Sequence, residues 1–134
     1  MSAADRKKQP AKSNSEITVL VVDDEESILA SLREALALEG YKVITTSDSY
    51  LAIQHVAEKD IDIIFTDLFM PELDGFEILK RIRILNPSLP VFFMTGKGSL
   101  QSIAEAERAG ISGYLVKPFK IEDIIGLIRK LLQQ

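Results

Sequence analysis

The chain has 134 residues, 46% hydrophobic and 27% charged, with a formal net charge of −4, the composition of one ordinary globular domain long enough to bury a core. It has no Cys, which excludes both a disulfide framework and a thiolate metal site. No apolar run reaches transmembrane length and the amino terminus lacks the hydrophobic stretch of a signal peptide, so a soluble cytoplasmic protein with no membrane partner is expected.

Residues 1–16, MSAADRKKQPAKSNSE, read as a disordered polar and basic tail. They carry Arg6, Lys7, Lys8 and Lys12 against Asp5 and Glu16; removing these from 16 basic and 20 acidic residues leaves 12 and 18, so residues 17–134 stand near −6. A net acidic domain argues against direct binding to nucleic acid, which requires a basic face.

Residues 17–22 are a continuous aliphatic run, as expected of a strand buried on both faces. Residues 27–38 place Ile28, Leu29, Leu32, Ala35 and Leu36 at helical spacing, and Gly40 is a natural stop. A more polar strand at 42–46, suited to a sheet edge, precedes a helix at 49–58. Then come a strand at 61–66, a helix at 75–85 closed by Asn86 and Pro87, and a strand at 91–94. A helix at 100–109 ended by Gly110, a strand at 113–116 and a helix at 121–132 complete the chain. Five strands each followed by a helix imply a parallel sheet with right-handed crossovers and helices on both faces.

The polar residues at the ends of these runs carry the chemistry. Asp23 and Asp24 follow the first strand, Asp67 the third, Thr95 the fourth and Lys117 the fifth. In a parallel sheet those ends share one edge, where open α/β folds place their ligand crevice. Two carboxylates about 5 Å apart repel by roughly 3 kcal/mol at an effective dielectric of ~20, so three gathered acids require a cation. Oxygen ligands without His or Cys suit a hard ion such as Mg²⁺. Asp67 is either a ligand or a nucleophile that forms an acyl-phosphate; Lys117 would offer a point charge to a phosphoryl group and Thr95 a hydroxyl. Each residue alone would be an ordinary loop, cap or surface group; their joint placement after buried strands favours a site. Tyr114 is by chemistry alone either a core aromatic or a switch. His55, the single His, lies mid-helix without a partner, and Met70, Met94, Phe92, Phe93 and Phe119 read as packing.

VLVVDDEE, IIFTDLFMPELDGFE, VFFMTGKG and AGISGYLVKPF, in this order, together resemble the receiver domain of two-component response regulators over about residues 17–132. The resemblance implies a flavodoxin-like doubly wound sheet of order 2-1-3-4-5 with five helices, and residues 17–134 as a receiver domain. It implies Asp67 as phosphoacceptor, with Asp24, Asp67 and the backbone carbonyl of Phe69 as direct Mg²⁺ ligands and Asp23 acting through a metal-bound water. It further implies Thr95 as the switch hydroxyl, Tyr114 as the aromatic switch, Lys117 as the phosphate contact, a cis bond before Pro118, and Gly75 at the turn before the third helix. Phe69 and Lys97 occupy variable positions beside the phosphate, and Gly96 follows Thr95 where small residues are usual.

The partners implied are a sensor histidine kinase or a histidine phosphotransfer protein, and a downstream protein on the face of the fourth helix, fifth strand and fifth helix. That face could also support a phosphorylation-dependent homodimer. Such a domain is a phosphoacceptor rather than an enzyme with a separate substrate, catalysing only its own phosphorylation and slow dephosphorylation. Two other classes compete: a haloacid-dehalogenase-like phosphatase using Asp23, with Glu25 in place of the usual second Asp, and a protein-binding module that is never phosphorylated. A dinucleotide enzyme is disfavoured because no glycine-rich fingerprint follows the first strand.

Overall fold

The computed structural model describes residues 12–96 and 100–133. Its elements run β1 (Thr18–Val22), α1 (Glu26–Leu38), β2 (Lys42–Thr46), α2 (Ser49–Glu58), β3 (Ile63–Asp67), α3 (Gly75–Leu85), β4 (Val91–Thr95), α4 (Leu100–Ala109), β5 (Gly113–Val116) and α5 (Ile121–Leu132). The strands pair in parallel in the order β2-β1-β3-β4-β5. This is the five-stranded, five-helix flavodoxin-like arrangement that the resemblance implies.

The sheet is buried on both faces because β1, β3 and β4 are apolar apart from Thr18, Thr66, Asp67 and Thr95. Val19, Val21, Phe65, Phe92 and Met94 pack against Leu29, Leu32 and Leu36 of α1 and Ile124, Ile125 and Ile128 of α5. Leu20, Val22, Ile64, Val91 and Phe93 point the other way, onto Ala52 of α2, Ile78, Leu79 and Ile82 of α3 and Ala106 of α4. Each large side chain so buried contributes roughly 1.5–3 kcal/mol. β2, the polar strand, is an edge as expected, and β5 is the other. Gly40 and Gly110 end α1 and α4 with φ of 96° and 97°, the left-handed conformation that glycine adopts without strain.

Three boundaries differ informatively from the sequence reading. β3 begins at Ile63 rather than at 61, because the Ile61 N–H is used in a turn to Lys59 O (3.0 Å) and the Asp62 carboxylate accepts the Thr18 N–H (2.8 Å). β3 and β4 each extend one residue further, so Asp67 and Thr95 stand on the sheet itself.

Residues 12–16 pack on the domain, whereas composition placed them in the polar tail. Asn14–Glu16 form a 3-10 turn, and Lys12 donates its N–H to Leu132 O (3.2 Å) and its ammonium to Asp62. Gln133 Nε2 donates to Lys12 O (3.2 Å), clasping the end of α5 to this segment. Among the described residues no helix is long and apolar enough to cross a membrane.

Gly75 opens α3 in tight quarters. A Cβ there would lie 3.0 Å from Leu68 Cα, 3.2 Å from Asp67 O and 3.2 Å from a Phe93 ring carbon. Two of those neighbours are backbone and cannot yield cheaply. Gly75→Ala should therefore lower stability by about 1–3 kcal/mol, despite its better helix propensity, read as a lower urea midpoint at unchanged slope.

Candidate functional site

The carboxyl ends of β1, β3, β4 and β5 form one edge of the sheet, and the chain's polar residues stand along it. Asp23 directly follows β1 and is fully buried; Asp67 ends β3 and is 8% exposed; Thr95 ends β4 and is fully buried. Lys117 directly follows β5, and its backbone N–H donates to Thr95 O (2.7 Å), holding the two strand ends together. The Lys117–Pro118 peptide is cis.

The Lys117 ammonium is the centre of the crevice. It donates to Asp23 Oδ2 at 2.8 Å and to Asp67 Oδ2 at 3.3 Å, and it lies 3.7 Å from Glu25 Oε1. The other oxygen of Asp23 accepts the Glu25 N–H at 2.9 Å, so both oxygens of this buried acid are engaged within the protein. Asp67 Oδ1 accepts the Phe69 N–H at 3.3 Å.

Burial pushes the Asp67 carboxyl above the ordinary aspartate value; Lys117 pulls it down and Asp23 pushes it further up, and the net is a rise. For Lys117, burial works against the charged form, but the bonds and charges of Asp23 and Asp67 outweigh it and leave the ammonium more firmly protonated than usual. One ammonium thus serves two buried acids.

Asp24 lies beside this pair. Carboxylate oxygens of Asp23, Asp24 and Glu25 fall within 4.8 Å of one another, Asp23 buried and the other two exposed. With Asp67, four carboxylates then face one ammonium, an excess of negative charge that an added cation would relieve. The donors are all oxygens, which fits a hard ion rather than a soft one.

Not every residue singled out from the sequence joins the cluster. The Thr95 hydroxyl donates to Gly96 O at a long 3.4 Å rather than to an acid. Tyr114 is 40% exposed and Phe69 60% exposed, so both rings face outward at the rim. Lys97 lies outside the described residues. Glu25, absent from the ligand set that the sequence suggested, is the third acid of the group of three; its adjacency in VLVVDDEE is the signal that could have found it. His55 and Phe119 lie away from these contacts, Phe119 packing against the α1 and α5 side of the core.

Residues 19–129 match the family model described as the response regulator receiver domain. The chain belongs to that family. Curated relatives include a probable transcriptional regulatory protein, TcrX, of Mycobacterium tuberculosis, 34% identical over 88% of this chain and 50% of the relative. The response regulator MprA of Mycobacterium leprae is 34% identical over 87% of this chain and 51% of its own length. The chain therefore spans about half the length of these relatives. Among solved structures, a response regulator receiver domain protein of Clostridium thermocellum superposes with a TM-score of 0.82 at 33% identity, covering 87% of this chain and 94% of the other. The chemotaxis protein CheY4 of Vibrio cholerae gives 0.80 at 31% identity, covering 87% and 98%. Receiver domains are signalling phosphoacceptor modules, and the acid cluster at the strand ends is consistent with a phosphoacceptor site.

The raised Asp67 carboxyl has a consequence for stability. The folded protein holds this proton more tightly than the unfolded chain, so the contribution is complete below the unfolded pKa and is lost as pH rises through the folded one. Asp67→Asn cannot ionise and leaves Lys117 its bond to Asp23. In buffer without divalent ions the variant should melt higher than wild type at neutral pH, by roughly 3 °C. The gap should close as pH falls below about 4; a gap that widens on acidification would contradict the assignment.

Proposed function

We propose that the chain is a receiver in which Asp67 accepts a phosphoryl group from a phosphohistidine on a sensor kinase or phosphotransfer protein. The observation that carries this reading is the Lys117 ammonium bonded to both Asp23 and Asp67 at the carboxyl edge of the sheet. An Asp67 carboxylate oxygen attacks phosphorus in line, the O–P bond forms as the N–P bond breaks, and the imidazole leaves with the electron pair. Lys117 is placed to meet an equatorial oxygen of the transferred group, at the cost of its contact with Asp67.

Asp24, Asp67 and the Phe69 backbone carbonyl would hold Mg²⁺, with Asp23 supporting it through a water. When bound, the ion offsets the charge of the carboxylates and the phosphoryl oxygens. The assignment of Asp23 to an indirect role is supported by its burial and by the Glu25 N–H and Lys117 bonds that occupy its two oxygens. The same engagement disfavours Asp23 as the nucleophile of a dehalogenase-like phosphatase.

Output follows from a two-state shift. Thr95 and Lys117 are drawn toward the phosphoryl group, Tyr114 turns inward from its exposed position, and the face of α4, β5 and α5 changes its affinity for a downstream partner or for a second receiver. The relatives named as transcriptional regulators suggest gene control as one such output.

Incubation with acetyl phosphate and Mg²⁺, followed by mass mapping, should place one phosphate on Asp67 and none on Asp67→Asn. Asp24→Ala should weaken Mg²⁺ binding and labelling more than Asp23→Ala does, by an expected ~10-fold or more for a lost ligand; the reverse order would overturn the ligand assignment.

The exposed Phe69 ring sets the lifetime of the signal. A polar side chain at this position could orient the hydrolytic water, which Phe69 cannot, and the ring instead shields the phosphate. Self-dephosphorylation should be slow, and Phe69→Asn should speed it ~10-fold, about 1.4 kcal/mol of barrier. Decay of the phosphorylated protein in Mg²⁺ buffer measures this, and an unchanged rate in the variant would remove Phe69 as the shield.

A further inference from the structure

The segment between β3 and α3 carries Phe69, whose backbone carbonyl would meet the metal, and it is held by the buried side chains of Leu68, Met70 and Leu73 and by a few hydrogen bonds. Leu68 N–H donates to Met94 O (3.1 Å) and Gly75 N–H to Leu68 O (2.7 Å). Phe69 N–H donates to Asp67 Oδ1. These bonds all lie at the two ends of the segment. Towards the α3 end, the Leu73 carbonyl accepts a 2.9 Å bond from the hydroxyl of Ser49, the first residue of α2.

Ser49 is 1% exposed. The end of α2 is already capped by Asp48, whose carboxylate accepts the Tyr50 and Leu51 N–H groups, so the Ser49 hydroxyl is free to reach across to the neighbouring segment. Asp48 is in turn fixed through its N–H to Thr46 Oγ1 (3.1 Å), at the end of β2. The hydroxyl therefore stands on a rigid base.

We propose that Ser49 is a positioning residue for the metal end of the phosphoacceptor site: its bond to Leu73 O holds the 68–74 segment so that the Phe69 carbonyl meets a divalent ion at the right place. This rests on the Mg²⁺ reading above. Mg²⁺ demands near-octahedral ligands at short distance, whereas Ca²⁺ accepts looser geometry. A slackened segment should therefore penalise Mg²⁺ selectively, while a loss of general stability would treat both ions alike.

The test is calorimetric titration of the full chain with MgCl₂ and with CaCl₂, in wild type, Ser49→Ala, Ser49→Thr and Asp24→Ala, with amide exchange of residues 69–73 in metal-free protein. Ser49→Ala should raise the Mg²⁺ Kd about 5-fold and the Ca²⁺ Kd less than about 2-fold, and should speed exchange across 69–73. Ser49→Thr, which keeps the hydroxyl, should restore both. Equal losses for the two ions, or none, with Asp24→Ala still abolishing binding, would overturn the role of Ser49 and leave the metal site standing. Identical Mg²⁺ binding in wild type and Asp24→Ala would overturn the metal site and this proposal with it.

Discussion

The Lys117 ammonium is the interaction on which the site depends. Two aspartates withdrawn from water repel each other and lose hydration, and in this crevice they share a single counter-charge. Removing one partner of a buried pair commonly costs about 3–5 kcal/mol, because the charge left behind is uncompensated. Here one cation answers two acids, with Asp24 and Glu25 beside them, so the pairing holds the site together without neutralising it. That deficit is one that an added cation would relieve.

The parallel sheet is what brings the four groups together. β1, β3 and β4 are mostly apolar, and Asp23 just after β1, Asp67 at the end of β3 and Thr95 at the end of β4 share one rim. The β4 and β5 ends are coupled directly, since the Lys117 N–H donates to Thr95 O at 2.7 Å. A displacement of Thr95 thus carries Lys117 with it, and Tyr114, three residues earlier on β5, lies on the same short strand. The geometry ties the Lys117 charge to the aromatic at the surface through a few residues of backbone.

The elements were legible because their signals are local. Continuous aliphatic runs mark strands buried on both faces, and helix limits at Gly40 and Gly110 follow from backbone conformation. The start of β3 was misread because Ile61 extends the aliphatic pattern across Asp62, while the polar atoms of both are used elsewhere, in a turn and on Thr18. Strand order was not legible from the elements and came only from the family resemblance. Residues 12–16 looked like polar tail because the contacts that dock them, from Lys12 to Asp62 and Leu132 and from Asn14 to Glu39, are to distant parts of the chain. The same reason hid the partners of Lys117 and the Ser49 bond to Leu73, 24 positions away: a hydroxyl at a helix start carries no mark in sequence of where it will point.

The clasp between the two ends of the described chain sets a distance. Lys12 meets Leu132 and Gln133 beside Asp62, at the amino edge of the strands, whereas the acids and Lys117 lie at the carboxyl edge. A five-residue strand spans about 17 Å, so anything tethered at either end is anchored that far from the chemistry and at one shared corner. Attachment alone would leave such a neighbour on the side of the sheet away from the acid cluster, so contact with the cluster would require it to fold back along the flank of the domain.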